Sequence, residues 1–357
     1  MTGEEKFMRQ AINLAERGRH RVMPNPLVGC VLVRDGEIIA EGWHDHLGGL
    51  HAEQMAIADA EAKGVATQGS TAYVTLEPCN HFGRTPPCTE ALLWAGVRKV
   101  VIGSADPNPT VRGGGVAALQ KEGIEVEIGL LEDECREQMN EFMHWCNCRR
   151  PVVLLKSAID VNGRIDGDPN QEAQRFSCTE ALDLVHVLRA NSMAILVGVD
   201  TVVRDDPSLT VRGPDIGPRQ HPIRVVMDPK GRIPLDCKLM TDGLAPTLLI
   251  HARIIDNVND QDHVERVILT DDDTDIPISR ILSLLGDRGI QSLMVEGGLE
   301  TWSRFLKSGL VDRVHLCQSP VELTGEGQTF GNLHLEKAGF TCISEIKVGI
   351  DTISHWE

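Results

Sequence analysis

Apolar positions along the first half of the chain alternate between a helical and an extended period. Phe7, Ala11, Leu14 and Ala15 recur at helical spacing, and Gly18 stops that pattern. Residues 28–33 and 38–42 read as two strands joined by a turn at Asp35-Gly36. A helix over 51–63 ends at Gly64, a residue type favoured just past a helix, and 71–76 reads as a strand. Thr85-Pro86-Pro87 opens a further helix, because Thr suits the cap and Pro lacks only a donor that the first turn does not need. That helix closes at Gly96, and 99–103 is the next strand. The alternation restarts after Cys148-Arg149-Arg150-Pro151. Strand signals follow at 152–156, 194–199, 223–227, 247–250, 292–295 and 314–317, with helix signals at 179–190, 278–285 and 299–307. The pattern predicts an α/β protein of two domains, 1–147 and 150–357. The acidic stretch from Thr270 to Asp275 reads as a solvated loop, since no calcium-loop spacing follows it.

Composition narrows the functional classes. With 357 residues, 41% apolar and 24% charged, the chain can bury sizeable cores, which excludes intrinsic disorder. Its formal charge of −17 is spread over both halves: 15 basic against 21 acidic groups in residues 1–150, and 20 against 31 in the rest. Neither half has the basic excess of a duplex-binding surface, so nucleic acid is not an expected partner. No apolar run approaches the ~20 residues that span a bilayer, so no membrane is expected either. Residues 1–6 carry no signal-peptide core, which points to the cytoplasm, or to an organelle stroma if a leader has been removed. In that setting the ten cysteines are expected to be reduced or metal-bound rather than paired as disulfides.

The chemistry concentrates in His51-Ala52-Glu53, Pro78-Cys79 and Pro87-Cys88. One imidazole and two thiolates leave a tetrahedral Zn2+ its fourth position for water. Glu53, two residues after the His, is placed as a catalytic proton carrier rather than a ligand. A lone His or Cys would be structural; the joint pattern is the signature of zinc-dependent nucleobase deaminases. By contrast, His144, Cys146 and Cys148 do not make a second site, because Cys-x-Cys seldom closes a tetrahedron alone.

The run Thr75-Leu76-Glu77-Pro78-Cys79-Asn80-His81-Phe82-Gly83-Arg84-Thr85-Pro86-Pro87-Cys88 resembles the deaminase half of the bifunctional riboflavin-biosynthesis deaminase/reductases. So do Pro24-Asn25-Pro26-Leu27-Val28-Gly29-Cys30 and Asp106-Pro107-Asn108-Pro109. The resemblance implies a cytidine-deaminase-like three-layer domain acting on a diaminopyrimidinone that carries a ribosylamino 5′-phosphate. It implies that Asn25, His44, His81 and Asn108, with Arg84 and Thr85, hold that substrate. Read by themselves, Asn25 and Asn108 lie between prolines and equally well fix turns.

No Gly-x-Gly-x-x-Gly fingerprint follows a strand in the second half, so a Rossmann domain is not supported. Glu296-Gly297-Gly298 ends a strand and opens a helix, an arrangement that either holds an anion or makes a tight turn. With Leu188-Arg189-Ala190 and the segments 194–202 and 205–212, it resembles the family's reductase domain, which is dihydrofolate-reductase-like and uses NADPH. The resemblance implies substrate contacts at Arg189, Leu209, Arg212 and Glu296. It implies cofactor contacts at Ala158, Arg175, Thr201, Asp205, Gly297 and Gly298, with hydride delivered to C1 of the ribosyl group. An isolated Arg would more often be a surface group, whereas a clamp of two suits a phosphate. Departures fall at Asp160-Val161-Asn162-Gly163, where the family has Ser-Leu-Asp-Gly, and at Arg175-Phe176. They keep open a deaminase whose reductase half is only a scaffold. A nucleic-acid-editing deaminase is opposed by the acidic charge, and a non-catalytic metal protein by Glu53. The expected partner is a small phosphorylated pyrimidine, and a homo-oligomer is compatible with the sequence.

Overall fold

The computed structural model describes residues 3–81, 86–108, 113–168, 174–218, 221–255, 261–269, 275–325, 327–330 and 335–357. Two compact units emerge, one of residues 1–148 with 215–219, the other of residues 149–214 and 220–357.

Among the described residues, the first unit has a five-stranded sheet ordered β2-β1-β3-β4-β5: β1 (Gly29–Arg34), β2 (Glu37–Trp43), β3 (Thr71–Leu76), β4 (Lys99–Ser104) and β5 (Glu125–Ile128). β1 runs antiparallel to both neighbours, whereas β3, β4 and β5 are parallel. Side chains alternate faces along each strand, so Cys30 and Leu32 pack to one side and Val31 and Val33 to the other. The first face is covered by α2 (Ala52–Ala62), α3 (Cys88–Trp94) and α4 (Gly114–Lys121) through Ala52, Ala56, Leu92 and Leu119. The second is covered by α1 (Glu5–Ala15), α5 (Glu132–Gln138) and α6 (Asn140–Cys148) through Phe7, Ala11, Cys135 and Met143. The result is three layers. At Gly42 a Cβ would overlap the Ala52 carbonyl oxygen and the Ala56 nitrogen, so glycine is what lets α2 lie this close to β2.

The second unit has a nine-stranded sheet, again among the described residues, ordered β10-β9-β8-β7-β11-β6-β12-β14-β13. Its strands are β6 (Val152–Ile159), β7 (Ala194–Gly198), β8 (Ile223–Met227), β9 (Thr247–His251), β10 (Val264–Ile268), β11 (Ser292–Glu296), β12 (Arg313–Gln318), β13 (Cys342–Val348) and β14 (Asp351–Trp356). The first seven in that order are parallel, and β14 and β13 close the sheet antiparallel. One face packs on α10 (Ile278–Asp287) and α11 (Leu299–Ser308), with Trp302 and Phe305 wholly buried. The other packs on α7 (Thr179–Ala190), α8 (Val199–Asp205) and α9 (Lys238–Thr241). The Asp351 carboxylate accepts the Cys178 N–H at 2.8 Å, so the C-terminal hairpin fastens the start of α7.

Two expectations change, and a third falls on residues the structure does not describe. The helix expected to open at Thr85 begins at Cys88 with Pro87 as its cap, while Thr85 lies outside the described residues. The strand expected over 194–199 ends at Gly198, because Val199 already belongs to α8. The acidic stretch 270–274 also lies outside the described residues. On α6, Cys146 points inward and Cys148 outward, as two residues about 200° apart around a helix must. All ten thiols are free of disulfides.

Candidate active sites

In the first unit the N-terminus of α2, the end of β3 and the start of α3 converge. His51 caps α2 in extended backbone (φ −72°, ψ 161°), its side chain and that of Gln54 forming a capping box, and Glu53 lies in the first turn. His51 Nδ1 lies 3.2 Å from Cys88 Sγ and 3.6 Å from Cys79 Sγ. The three donor atoms sit within 4.8 Å of one another, the one such cluster of three among the described residues. The Cys88 N–H points at Cys79 Sγ from 3.4 Å. Hydrogen bonding from Cys88, and also from His51, drives the Cys79 thiol well down, whereas the Cys79 hydrogen bond and burial drive Cys88 up. The Cys79 hydrogen bond raises His51. One imidazole and two sulfurs of this character fit a zinc ion with one position left open.

Glu53 is 3% exposed. Burial first, and then the Cys79 charge, push its carboxyl up to about 7, against a hydrogen bond from Cys88. A carboxyl of that acidity both takes and gives a proton near neutrality.

His44, on the loop after β2, is equally buried, and its ring meets that of His51 edge-on at 5.5 Å. Its Nδ1 lies 2.9 Å from the Leu50 carbonyl oxygen, and its Nε2 lies 3.0 Å from Asn25 Nδ2. A carbonyl only accepts, so Nδ1 carries the proton and Nε2 accepts from the Asn25 amide. Burial holds this imidazole below its usual range. Asn108 donates its N–H to Asp106 Oδ1 at 2.8 Å. His81 is exposed, and its charge acts on Asp106. Arg84 and Thr85 lie outside the described residues.

A residue that motif reading passed over holds this side together. Glu77, 4% exposed, accepts N–H groups from Asp106, Gly113, Gly115 and Val116 at 3.1–3.3 Å. Its carboxylate thus fastens the start of α4 and the loop after β4 beside Pro78-Cys79. A charged residue directly after the strand 71–76 was the available signal.

In the second unit the C-terminal ends of β6, β11 and β7 carry the polar groups. Arg189, in the last turn of α7, donates from Nε and Nη2 to both Glu296 oxygens at 2.7 and 2.9 Å, and from Nη1 to the Thr210 carbonyl at 3.1 Å. That pair holds Glu296 below the usual carboxylate range despite its burial. Lys156 stands opposite Glu296 in the β6–β11 ladder, and burial pulls its ammonium pKa below the usual lysine range. Its signal in the sequence was one cation within an apolar strand. His315 faces Lys156 from β12 and is pushed down to about 4 by burial, then by His355 and Lys156.

Arg212 is exposed, and its backbone N–H reaches His186 Nδ1 at 3.2 Å. Leu209 is 3% exposed, its side chain in the core with Val199 and Val202 and its backbone left-handed at φ 50°. Ala158 pairs with Cys317 across β6 and β12, and Arg175 is exposed. Thr201 lies in the first turn of α8 and Asp205 ends it, its carboxyl raised by burial. Adjacent parallel strands β7 and β11 run into α8 and α11 through the caps Gly198 and Gly298. A Cβ at Gly198 would lie 2.7 Å from Thr301 Oγ1, so the two helix starts crowd together. Paired helix N-termini with glycine caps suit the diphosphate of a dinucleotide. At the departure around 160, the buried Asp160 carboxylate accepts N–H groups of Asn162, Arg164 and Leu323, which accounts for an acid there as the knot of a turn.

Comparison with known proteins agrees with both halves. The cytidine and deoxycytidylate deaminase zinc-binding region matches residues 1–104, and the RibD C-terminal domain matches residues 151–351. The chain is similar to the riboflavin biosynthesis protein RibD of Aquifex aeolicus, 37% identical over 92% of this chain and 90% of that one. It is also 37% identical to that of Escherichia coli, over 89% and 88%. Among solved structures, a diaminohydroxyphosphoribosylaminopyrimidine deaminase/5-amino-6-(5-phosphoribosylamino)uracil reductase of Thermotoga maritima shares 35% identity at a TM-score of 0.86, covering 99% of this chain and 98% of that one. Acinetobacter baumannii RibD gives the same figures. No helix among the described residues is long and apolar enough to cross a membrane.

Proposed function

Because the chain belongs to the family of bifunctional riboflavin-biosynthesis deaminase/reductases, we propose an assignment of its residues to the two reactions. The N-terminal domain, 1–147, removes the 2-amino group of the diaminopyrimidinone ribosyl phosphate by hydrolysis, releasing ammonia. The C-terminal domain, 150–357, reduces the ribosyl group of the product to ribityl with NADPH. The observation that carries the reading is the convergence of His51, Cys79 and Cys88 from three elements, with the buried Glu53 in the first turn of α2.

His51, Cys79 and Cys88 are the zinc ligands of this reading. When bound there, zinc lowers the pKa of a water to about 7 and so supplies a nucleophile at neutral pH. Glu53 takes the water's proton on its carboxylate and returns it to the departing amine nitrogen. His44, fixed in one tautomer between Leu50 and Asn25, presents a neutral edge beside the ring. Asn25 and Asn108, with His81, Arg84 and Thr85, hold the pyrimidine and its ribosyl phosphate.

In the reductase domain NADPH supplies the hydride. Gly297, Gly298 and Thr201, at the two helix starts, cradle its diphosphate, and Ala158, Arg175 and Asp205 border it. Arg189 is committed to Glu296 and Thr210, which makes it a holder of the Glu296 carboxylate for the ribosyl hydroxyls. Arg212 is the exposed cation that meets the phosphate, on the segment that Leu209 anchors. Lys156, next to Glu296, is placed to protonate the ring oxygen as the sugar opens.

Substrate is a small phosphorylated pyrimidine held by local cations against an acidic chain. Nucleic acid is not a partner, and the enzyme works in the cytoplasm, or in an organelle stroma where a leader has been removed. β13 exposes both faces, including Ile343 and Ile346, along an open sheet edge, which favours a homo-oligomer; light scattering that reads the 39.1 kDa of one chain would remove that part. The decisive experiment incubates purified protein with the diaminopyrimidinone ribosyl phosphate, with and without NADPH, and weighs the products. Deaminated compound alone without NADPH, and the ribityl compound with it, is the expected result. An unchanged substrate mass in both arms would overturn the reading.

A further inference from the structure

The two sides of the metal-ligand triangle are fastened differently. Between Cys79 and Cys88 three bonds tie the two segments directly, from backbone and side chain alike: Thr89 N–H to Cys79 O at 3.3 Å, Cys88 N–H to Cys79 Sγ at 3.4 Å, and the Thr89 hydroxyl to Asn80 Oδ1 at 2.9 Å. Between His51 and Cys88, beyond the ring-to-sulfur approach of the ligand atoms themselves at 3.2 Å, the connection is a third side chain. Gln54 Oε1 accepts the His51 N–H at 3.3 Å, while Gln54 Nε2 donates to the Pro86 carbonyl at 2.9 Å. One planar amide therefore joins the backbone of the imidazole ligand to the residue two positions before the thiolate ligand. Gln54 stands in the first turn of α2, beside Glu53; its bond to Pro86 is exposed and its bond to His51 part-buried.

We infer that Gln54 is a positioning residue that keeps His51 and Cys88 from separating, and so slows loss of the metal ion. The inference rests on the zinc assignment proposed above. The physics is that of chelation. A ligand that dissociates rebinds as long as its backbone stays in place, and it is lost when the backbone swings away. Opening the His51–Cys88 side moves α2 away from the segment before α3, and that motion breaks both Gln54 bonds together. The Cys79–Cys88 side has its own bonds and does not depend on Gln54.

Two substitutions separate the two halves of the strap. Gln54→Met keeps the length and loses both bonds. Gln54→Glu keeps an acceptor for the His51 N–H, but sets a carboxylate against the Pro86 carbonyl oxygen. The experiment is release of zinc from the full-length protein to excess chromogenic chelator, followed by absorbance, with total zinc measured beforehand. Circular dichroism and NADPH-dependent reduction of the deaminated intermediate report on integrity of the rest. Two hydrogen bonds of ordinary strength, one exposed and one part-buried, predict release about tenfold faster in Gln54→Met. Gln54→Glu is expected to match it, since the bond to Pro86 is the one that spans the gap. Release from Gln54→Met at the rate of the unaltered protein would overturn the strap. So would a slow Gln54→Glu beside a fast Gln54→Met, which would reduce Gln54 to a helix cap. An unaltered protein that binds no zinc would instead bring down the metal assignment itself.

Discussion

Replacing Glu53 by Gln lowers the deamination rate between about a hundredfold and ten-thousandfold, the span that a lost general acid–base group commands. The substitution preserves side-chain volume in a site where Glu53 is 3% exposed, so α2 keeps its seat and His51 its direction. What is lost is a group that accepts a proton at one stage and gives it back at the next. An amide does neither. Zinc content measured by metal analysis should stay at that of the unaltered protein, because Glu53 stands beside the ligand triangle and is not part of it. Reduction of the deaminated intermediate, which uses residues of the other unit, should also persist. Unimpaired deamination by a zinc-loaded Glu53→Gln enzyme would remove Glu53 from the mechanism.

The largest expected stability effect lies in the second unit, at a residue assigned to neither reaction. Arg224 on β8 is completely buried, and all three of its nitrogens are engaged. Nε meets Thr247 Oγ1 at 3.0 Å, Nη1 meets both Asp242 oxygens at 2.8 and 2.9 Å, and Nη2 meets the carbonyls of Leu239 and Ala245 at 3.2 and 2.7 Å. These bonds knit α9 and the following turn to the sheet. Arg224→Met removes the cation and strands the acceptors, and breaking a buried pair in this way costs about 3–5 kcal/mol. Asp242 keeps some access to water at 16% side-chain exposure, which places the cost near the low end of that range. Urea unfolding followed by loss of reductase activity should show a lower midpoint, while loss of deaminase activity keeps its own. Adding Asp242→Asn should recover part of the loss, because the uncompensated charge is then gone. A double variant no better than the single would mean that the stranded carbonyls, not the charge, set the cost.

The readable parts of this chain were those where chemistry and periodicity coincide. His51, Glu53, Cys79 and Cys88 were legible because their side-chain types have few other reasons to share that spacing, and the strand over 71–76 and the helix over 179–190 stand where their patterns put them. Short elements were not legible. α8 hides within the run Val197-Gly198-Val199, where β-branched residues suit strand and helix alike until Gly198 turns the chain. β13 hides because both of its faces are exposed, so it lacks the alternation that marks a half-buried strand. Partner choice was illegible for a different reason. Nothing local tells that Arg189 meets Glu296, far along the chain, or that Glu77 gathers N–H groups from beyond β4. Those contacts exist only once the sheet has set the order of its strands.

That order has a consequence for how the protein is made. β6 is the first strand of the second unit to be synthesised, yet its neighbours in the sheet are β11 and β12, residues 292–296 and 313–318. While the ribosome is still translating the intervening residues, β6 has two open edges and an apolar sequence, the combination that invites pairing between chains. The sheet of the first unit is complete once β5 has emerged. A nascent chain of this enzyme thus carries a finished first sheet ahead of an unfinished second one, and premature termination before residue 292 leaves the second as an aggregation-prone tail.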